Sequence, residues 1–153
     1  MDGEAMELDV LLEILGHASD LPLPSRATSG SSGVDLTAAV ESEVVLEPGT
    51  SKLIPTGLKV SIPPGYEWQI RPRSGNALKH GVTVLNTPGT IDSDYRGEVK
   101  IILANLGRFP FTVRRGDRIA QAVLAPVMYP RFKVVDRVPE TRRGEGGFGH
   151  SGK

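Results

Sequence analysis

Hydrophobic residues occur along this chain in short runs rich in Val, Ile and Leu, with turn sequences between them. Strands of this length at this spacing are typical of an all-β sandwich or barrel. The predicted strands are LDVLLEIL (8–15), SKLIPTGLKVSI (51–62), EVKIILANL (98–106) and RIAQAVLAPV (118–127). A helical period is hard to find, so the pattern predicts an all-β fold.

Proline and glycine mark the predicted turns, which are EPGT (47–50), IPPGYE (62–67), NTPGT (86–90) and RRGDR (114–118). One short helix is predicted around residues 74–80, with Ser74 as its N-cap. From about Pro139 onward the apolar pattern stops. We therefore predict a β-barrel domain over residues 1–138 and a flexible C-terminal arm over residues 139–153.

Composition narrows the possible partners. The chain has 153 residues, which predicts one domain, and its 18 Lys+Arg balance its 18 Asp+Glu. A net charge of zero argues against nucleic acid and membrane surfaces as partners. The absence of Cys excludes disulfides and thiolate metal sites. The acidic N-terminus does not resemble a secretory signal, and no apolar run approaches the roughly 20 residues of a membrane helix. These features predict a cytoplasmic protein.

The stretch TIDSDYRGEV (90–99) contains the first candidate for chemistry. Asp92 and Asp94 flank a serine and precede Tyr95. An aspartate beside a phosphate ester can hold and deprotonate a water molecule. The same residues also suit an acidic hairpin turn, and the stretch alone leaves both interpretations open.

The stretch RPRSGNA (71–77) contains a candidate anion site. Arg73 offers a planar fork of donors, and Ser74 with Gly75 can present backbone N–H groups at a helix start. A capped surface turn is the alternative. Two further candidates are weak alone. Asp35, in GVDL, could face a metal or simply begin a strand, and Gln121, in RIAQ, could reach a ligand or pair with backbone.

The C-terminal stretch RRGEGGFGHSGK (142–153) is too rich in glycine for a helix or a strand. Its GEGGFGHS segment nearly has the spacing of a phosphate loop, but such a loop must be followed by a helix. Successive glycine N–H groups can nevertheless surround an anion. A disordered tail is the alternative.

Taken together, these five stretches resemble the trimeric dUTPases in motif order and spacing, over about residues 23–152. GTIDSDYRGEV and RGEGGFG are the most specific of the motifs. The resemblance implies a distorted β-barrel of jelly-roll type. It also implies a homotrimer in which residues of all three chains form each site. The implied reaction is hydrolysis of dUTP to dUMP and pyrophosphate with Mg²⁺, which limits uracil in DNA and supplies dUMP for thymidylate synthesis.

The resemblance also implies a role for each matching residue. Asp92 corresponds to the general base that directs water at the α-phosphate, and Tyr95 to the ring that packs under the deoxyribose and leaves no room for a 2′-hydroxyl. Uracil recognition is assigned to Asn86, Thr90, Ile91 and Lys100. Phosphate binding is assigned to Arg73, Ser74, Gly75 and Gln121.

Asp35 corresponds to the acid that meets the Mg²⁺ shell through water, the ion being held mainly by the three phosphates. The arm corresponds to a segment that closes over bound nucleotide. Phe148 would stack on uracil, Arg143 would meet the γ-phosphate, and Gly149 would bind substrate beside them. One departure from the family pattern lies here: His150 stands where a serine is usual, and we expect its imidazolium to replace part of a lost phosphate contact.

Two alternatives remain open from the sequence. A dCTP deaminase-like enzyme would share the fold, but such enzymes use a catalytic glutamate and lack a Phe-bearing arm. A nucleotide-binding regulatory trimer would keep the pocket without turnover. Asp92 and the complete arm favour hydrolysis over both.

Overall fold

The fold was obtained as a computed structural model, which describes residues 6–149. This part of the chain forms ten strands, a 3₁₀ turn at Gly16–Ala18 and one α-helix. The elements are β1 (Leu11–Ile14), β2 (Gly33–Thr37), β3 (Val44–Leu46), β4 (Ser51–Ser61), β5 (Tyr66–Arg71), α1 (Ser74–His80), β6 (Val82–Val84), β7 (Gly89–Ile91), β8 (Val99–Asn105), β9 (Phe111–Val113) and β10 (Arg118–Pro126). The prediction of an all-β fold is confirmed.

Two four-stranded antiparallel sheets and one two-stranded ribbon make up the fold. The first sheet has the order β1-β4-β8-β6, the second has the order β2-β10-β5-β7, and β3 pairs with β9. Most neighbouring strands in these sheets are distant in sequence, as expected of a jelly-roll type of fold. The four predicted strands correspond to β1, β4, β8 and β10. The four predicted turns connect strands, and three of them extend into the first residues of β5, β7 and β10.

The core is formed by the inward-facing positions of these strands. In β8, Val99, Ile101 and Leu103 are buried, while Lys100 between them is exposed. This alternation follows from the twofold side-chain period of a strand. The shorter strands β3, β6, β7 and β9 have three residues each, too few to show such a period in the sequence.

The predicted N-cap of α1 is wrong by one residue. The helix spans Ser74–His80, as predicted, but the carbonyl of Arg73 accepts the first helical bond, from the Ala77 N–H at 3.1 Å. Arg73 is therefore the N-cap residue, with extended φ and ψ, and no side chain caps the helix. The Ser74 hydroxyl is thus not committed to a cap. None of the helices within residues 6–149 is long and apolar enough to cross a membrane.

The last strand ends at Pro126, and residues 127–149 form neither strand nor helix. In this segment Phe132 and Val134 are almost fully exposed, and Val138 is largely exposed. Apolar side chains continue to about residue 138 in the sequence, and most of them are exposed. The segment contacts the barrel at its start, where the Val127 N–H donates to the Gly65 carbonyl at 2.8 Å and the Tyr129 hydroxyl accepts the Gly65 N–H at 3.3 Å. The division into a barrel and an arm at residue 139 stays a prediction.

Candidate active site

One cleft lies where three neighbouring strands of the second sheet bring polar side chains into a row. Gln121 of β10 pairs with Asp35 of β2 on one side and with Arg71 of β5 on the other. Directly paired residues share a face of the sheet. The cleft above them has a volume of about 380 Å³ and is also lined by Arg73, Ser74 and Gly75. We call it the arginine cleft.

Asp35 and Gln121 orient the groups around the arginine cleft. The Arg73 Nε donates to the Asp35 Oδ1 at 3.0 Å, and the Arg118 Nη1 lies 3.5 Å from the Asp35 Oδ2. Gln121 Nε2 donates to the Pro72 carbonyl at 3.0 Å. These contacts hold one face of the Arg73 guanidinium and leave the Ser74 and Gly75 backbone exposed at the helix start. The arrangement suits a multiply charged anion.

Gly33 is a residue of this cleft that the sequence did not single out. A Cβ at this position would lie 2.6 Å from the Gln121 Oε1. The absence of a side chain at Gly33 therefore leaves room for the Gln121 amide. Arg71, which lines the cleft, and Arg118, which lies near Asp35, were also missed, because nothing in the sequence shows that β2, β10 and β5 are neighbours.

A second cleft, of about 260 Å³, lies between β7, with the turn that follows it, and the outer face of the first sheet. Its walls come from β7, from the loop that follows β7 and from the outward-facing positions of β4 and β8. Its lining residues are Leu53, Asn86, Thr90, Ile91, Asp92, Tyr95, Glu98, Lys100 and Ile102. Leu53 and Ile102 are paired directly across β4 and β8, and they give this cleft an apolar wall. We call it the hairpin cleft.

Asp92 and Tyr95 stand at the mouth of the hairpin cleft on one tight turn. The Tyr95 N–H donates to the Asp92 carbonyl at 3.1 Å, and the Tyr95 hydroxyl donates to the Glu98 carbonyl at 3.0 Å. Within residues 6–149, the Asp92 carboxylate accepts no hydrogen bond, and the residue is exposed. The carboxylate is therefore available to a water molecule or a ligand.

The structure thus sorts the predicted barrel residues into two groups. Asp35, Arg73, Ser74, Gly75 and Gln121 line the arginine cleft, and the other six line the hairpin cleft. The two clefts have no lining residue in common. Sequence reasoning missed Leu53, Glu98 and Ile102, although the alternation of β8 places Ile102 on the same face as Lys100.

The described part of the arm reaches neither cleft. Phe148 is fully exposed, with a φ of 50°, and the Arg143 Nε donates to the Gly146 carbonyl at 2.6 Å within the arm itself. Gly149 is exposed as well. Their predicted contacts with a nucleotide stay predictions, and His150 lies outside the described residues.

A small β-barrel that combines a cleft suited to anions with a half-apolar cleft has the features expected of a nucleotide-binding protein of jelly-roll type. The dUTPase family model matches residues 19–152 of this sequence. The chain belongs to the dUTPase family.

Curated relatives support this membership over nearly the whole chain. The deoxyuridine 5'-triphosphate nucleotidohydrolase of Caldanaerobacter subterraneus subsp. tengcongensis is 55% identical over 135 residues, covering 88% of this chain and 91% of the relative. The protein of the same name from Brucella melitensis biotype 2 is 59% identical over 140 residues, covering 90% of this chain and 89% of the relative.

Solved structures agree in fold. The dUTPase of Staphylococcus bacteriophage 80alpha with dUPNHPP superimposes with a TM-score of 0.84 at 29% identity, covering 95% of this chain and 99% of that one. A mutant dUTPase from phage phi11 of S. aureus, described as coordinating a structural Mg(II) ion, has a TM-score of 0.75 at 26% identity and covers 85% of this chain and 98% of that one.

Proposed function

We propose that the protein hydrolyses dUTP to dUMP and pyrophosphate, with Asp92 as the general base. The observation that carries this proposal is the free Asp92 carboxylate at the mouth of a small half-apolar cleft, in a chain whose relatives are deoxyuridine 5'-triphosphate nucleotidohydrolases. The reaction limits uracil in DNA and supplies dUMP for thymidylate synthesis. Neither a dCTP deaminase nor a regulatory trimer is favoured by the comparisons.

The hairpin cleft is the proposed site of uracil and deoxyribose. Backbone groups of Thr90, Ile91 and Lys100, with Asn86, would pair with the base edges. A site shaped closely around uracil would have no space for the extra methyl of thymine. Cytosine would present a donor where uracil presents an acceptor, which would leave buried groups unpaired. The Tyr95 ring would pack against the sugar and exclude a 2′-hydroxyl.

The arginine cleft is the proposed site of the triphosphate. Arg73 and Gln121 would donate to phosphate oxygens, together with the backbone of Ser74 and Gly75. Asp92 would accept a proton from the water that attacks the α-phosphorus, and pyrophosphate would leave on the opposite side. This assignment requires the two clefts to face one another around one substrate.

Mg²⁺ is the proposed cofactor, and Asp35 is the residue that would meet it. Within residues 6–149 no group of three or more His, Asp or Glu side chains is arranged to hold a metal. A single hard carboxylate facing a phosphate cleft fits Mg²⁺, which keeps most of its waters and takes phosphate oxygens as ligands. The ion would neutralise triphosphate charge.

The proposed assembly is a homotrimer in which one chain's arginine cleft faces another chain's hairpin cleft. Two observations support it: the two clefts share no residue, and the apolar side chains of Met128, Phe132 and Val134 are almost fully exposed on the single chain. The arm, residues 139–153, would close over the bound nucleotide. The cytoplasmic location stays a prediction.

The reaction is tested by pyrophosphate release with dUTP, dCTP and dTTP, with ammonia release measured in parallel. We expect pyrophosphate from dUTP alone. Release of ammonia from dCTP would establish the deaminase instead, and binding of dUTP without any product would establish the regulatory alternative.

Site sharing is tested by refolding Asp92→Asn together with Arg73→Ala and assaying at a dUTP concentration well below the KM of Arg73→Ala, where each variant alone has little activity. If the clefts of different chains form each site, random assembly leaves roughly a quarter of the sites with both intact residues, so activity returns. If each chain builds its own site, the mixture shows no more than the average activity of the two separate variants. Light scattering of the unaltered protein gives the number of chains.

A further inference from the structure

Glu98 carries a side chain that the proposed chemistry does not use. The carboxylate is largely buried, at 15% exposure, although Glu98 lines the hairpin cleft. Its Oε1 accepts the Gly57 N–H at 2.9 Å and lies 2.7 Å from the His17 Nε2. Its Oε2 lies 3.7 Å from the Lys100 Nζ. A buried carboxylate with this many donors is held in one position.

The partners of Glu98 come from places far apart in the sequence. His17 lies in the 3₁₀ turn, and Gly57 lies at the bulge where the register of β4 shifts between Pro55 and Leu58. Gly57 has a φ of +70°, and a Cβ there would collide with Ala18. The turn is therefore packed directly onto the bulge, and one carboxylate joins both to the start of β8.

The 3₁₀ turn is itself anchored to the rest of the barrel. The Leu15 N–H donates to the Gly57 carbonyl at 2.8 Å, and the Arg115 Nη2 donates to the His17 carbonyl at 2.7 Å. Ala18 is buried. These contacts fix the backbone of His17 independently of Glu98. Only the His17 side chain has to become ordered when it contacts Glu98.

The main chain of Glu98 in turn orients Tyr95. The Glu98 carbonyl accepts the Tyr95 hydroxyl at 3.0 Å. A Cβ at Gly97 would lie 2.6 Å from the Tyr95 Cζ, so the absence of a side chain at Gly97 leaves room for the phenol end of the Tyr95 ring. Any shift of residues 97 and 98 would therefore move the Tyr95 ring.

We infer that Glu98 is a positioning residue for the Tyr95 ring, and that His17 holds Glu98 in place for this role. The inference rests on the proposed function, since Tyr95 is the ring proposed to exclude a 2′-hydroxyl. The main chain of Glu98 aims the ring, and the side chain fixes that main chain to the β4 bulge and the N-terminal turn. Selectivity for deoxyribose over ribose thus depends on a residue near the chain's N-terminus.

The test measures kcat/KM for dUTP and for UTP, and uses their ratio as the readout. A residue that only supports the fold changes the melting temperature and leaves this ratio alone. With Glu98→Ala we expect the ratio to fall about 10- to 100-fold, because a small displacement of a positioning group has an effect of this size. His17→Ala is expected to lower it in the same direction.

Two conservative variants test the contacts themselves. Glu98→Gln keeps an acceptor oxygen for the Gly57 N–H, and His17→Gln keeps a donor for Glu98, so both should restore most of the ratio. Glu43→Ala is the control, because Glu43 is in an exposed ion pair with Arg114 that touches neither cleft. Its ratio should equal that of the unaltered protein.

An unchanged dUTP to UTP ratio in both Glu98→Ala and His17→Ala overturns the inference, whatever their melting temperatures. If Glu98→Ala does not fold, the comparison of His17→Ala with His17→Gln decides the question. If the unaltered protein hydrolyses dUTP and these variants leave the dUTP to UTP ratio unchanged, this inference is wrong and the proposed function stands. An unaltered protein without dUTP turnover defeats the proposed function, and this inference with it.

Discussion

The arginine cleft and the hairpin cleft are built by the same chain in different ways. The arginine cleft arises from three adjacent strands whose directly paired residues are Asp35, Gln121 and Arg71, together with the helix start beside them. The hairpin cleft arises where a turn of one sheet lies over the outer face of the other. The first presents charge on a rigid sheet, and the second presents an apolar wall, backbone groups and one free carboxylate.

This contrast indicates which part of a substrate each cleft can distinguish. Arginines on a rigid sheet bind any phosphate chain, so the arginine cleft contributes affinity with little choice of base. Shape and backbone pairing in the hairpin cleft distinguish bases and sugars. We therefore expect changes in the hairpin cleft to alter turnover or selectivity, and changes in the arginine cleft to alter the binding of phosphates.

The largest expected effect comes from Asp92→Asn in the hairpin cleft. Loss of a general base typically lowers the rate by about 10²- to 10⁴-fold, and the amide keeps the shape of the side chain. We expect kcat to fall by this amount while calorimetry still detects binding of a non-hydrolysable dUTP analogue.

Asp94→Asn is the matched control for this change, because Asp94 lies two residues away on the same turn and does not line the hairpin cleft. Its kcat should be nearly unchanged. Equal losses in the two variants would mean that the turn needs negative charge in general, and that Asp92 is not the base.

The next effect is that of Arg73→Ala in the arginine cleft. Hydrogen bonds to charged groups contribute about 1.5–3 kcal/mol, which corresponds to a KM for dUTP about 10- to 100-fold higher. Steady-state kinetics of this variant should show KM changing more than the dUTP to UTP ratio. Arg108→Ala, in a loop away from both clefts, should leave KM unchanged. A loss of sugar selectivity in Arg73→Ala would contradict the assignment of phosphate binding to the arginine cleft and of sugar selection to the hairpin cleft.

Smaller effects on nucleotide affinity are expected from substitutions at two positions of the arm. Phe148→Ala should remove a base stack of about 1–3 kcal/mol and weaken dUTP and dUMP alike. Arg143→Ala should weaken dUTP and spare dUMP, which has no γ-phosphate. Calorimetric titration with both nucleotides measures this difference.

A chain ending at Arg142 serves as the reference for the arm variants. We expect a sharply reduced kcat, since a closing lid excludes water from the reacting centre, with oligomeric state and melting temperature retained. Full activity of this shortened chain would refute the proposed role of the arm.

The smallest effect is expected outside both clefts, at Asp20. A hydrogen bond from the Arg115 guanidinium lowers the pKa of Asp20 below its usual value of 3.8, and a bond from its own backbone adds to this. The resulting stability is present above that usual value and is lost as pH falls through the lowered pKa. The melting temperature of Asp20→Asn should therefore lie slightly below that of the unaltered protein at pH 7, and the difference should vanish in strong acid. A constant difference at every pH would show that the ion pair is not its cause.

The sequence predicted much of the fold because its longer strands carry their own signals. β4, β8 and β10 have apolar runs bounded by Pro and Gly turns, and each lies within its predicted range. The site residues came from motif order and spacing. What these signals could not give is which strand lies beside which: Gly33 beside Gln121 and Leu53 beside Ile102 are contacts between residues that no local pattern relates.

The sequence by itself determined the all-β class, the membership in the dUTPase family and the identity of eleven of the residues that line the clefts, because turn chemistry, strand periodicity and motif residues are local properties. The tertiary structure alone decided that these residues form two separate clefts, and that Glu98, which accepts the Tyr95 hydroxyl, also contacts His17, 81 positions away in the sequence. Such pairings depend on strand order and register, which are settled when the two sheets close around a shared core.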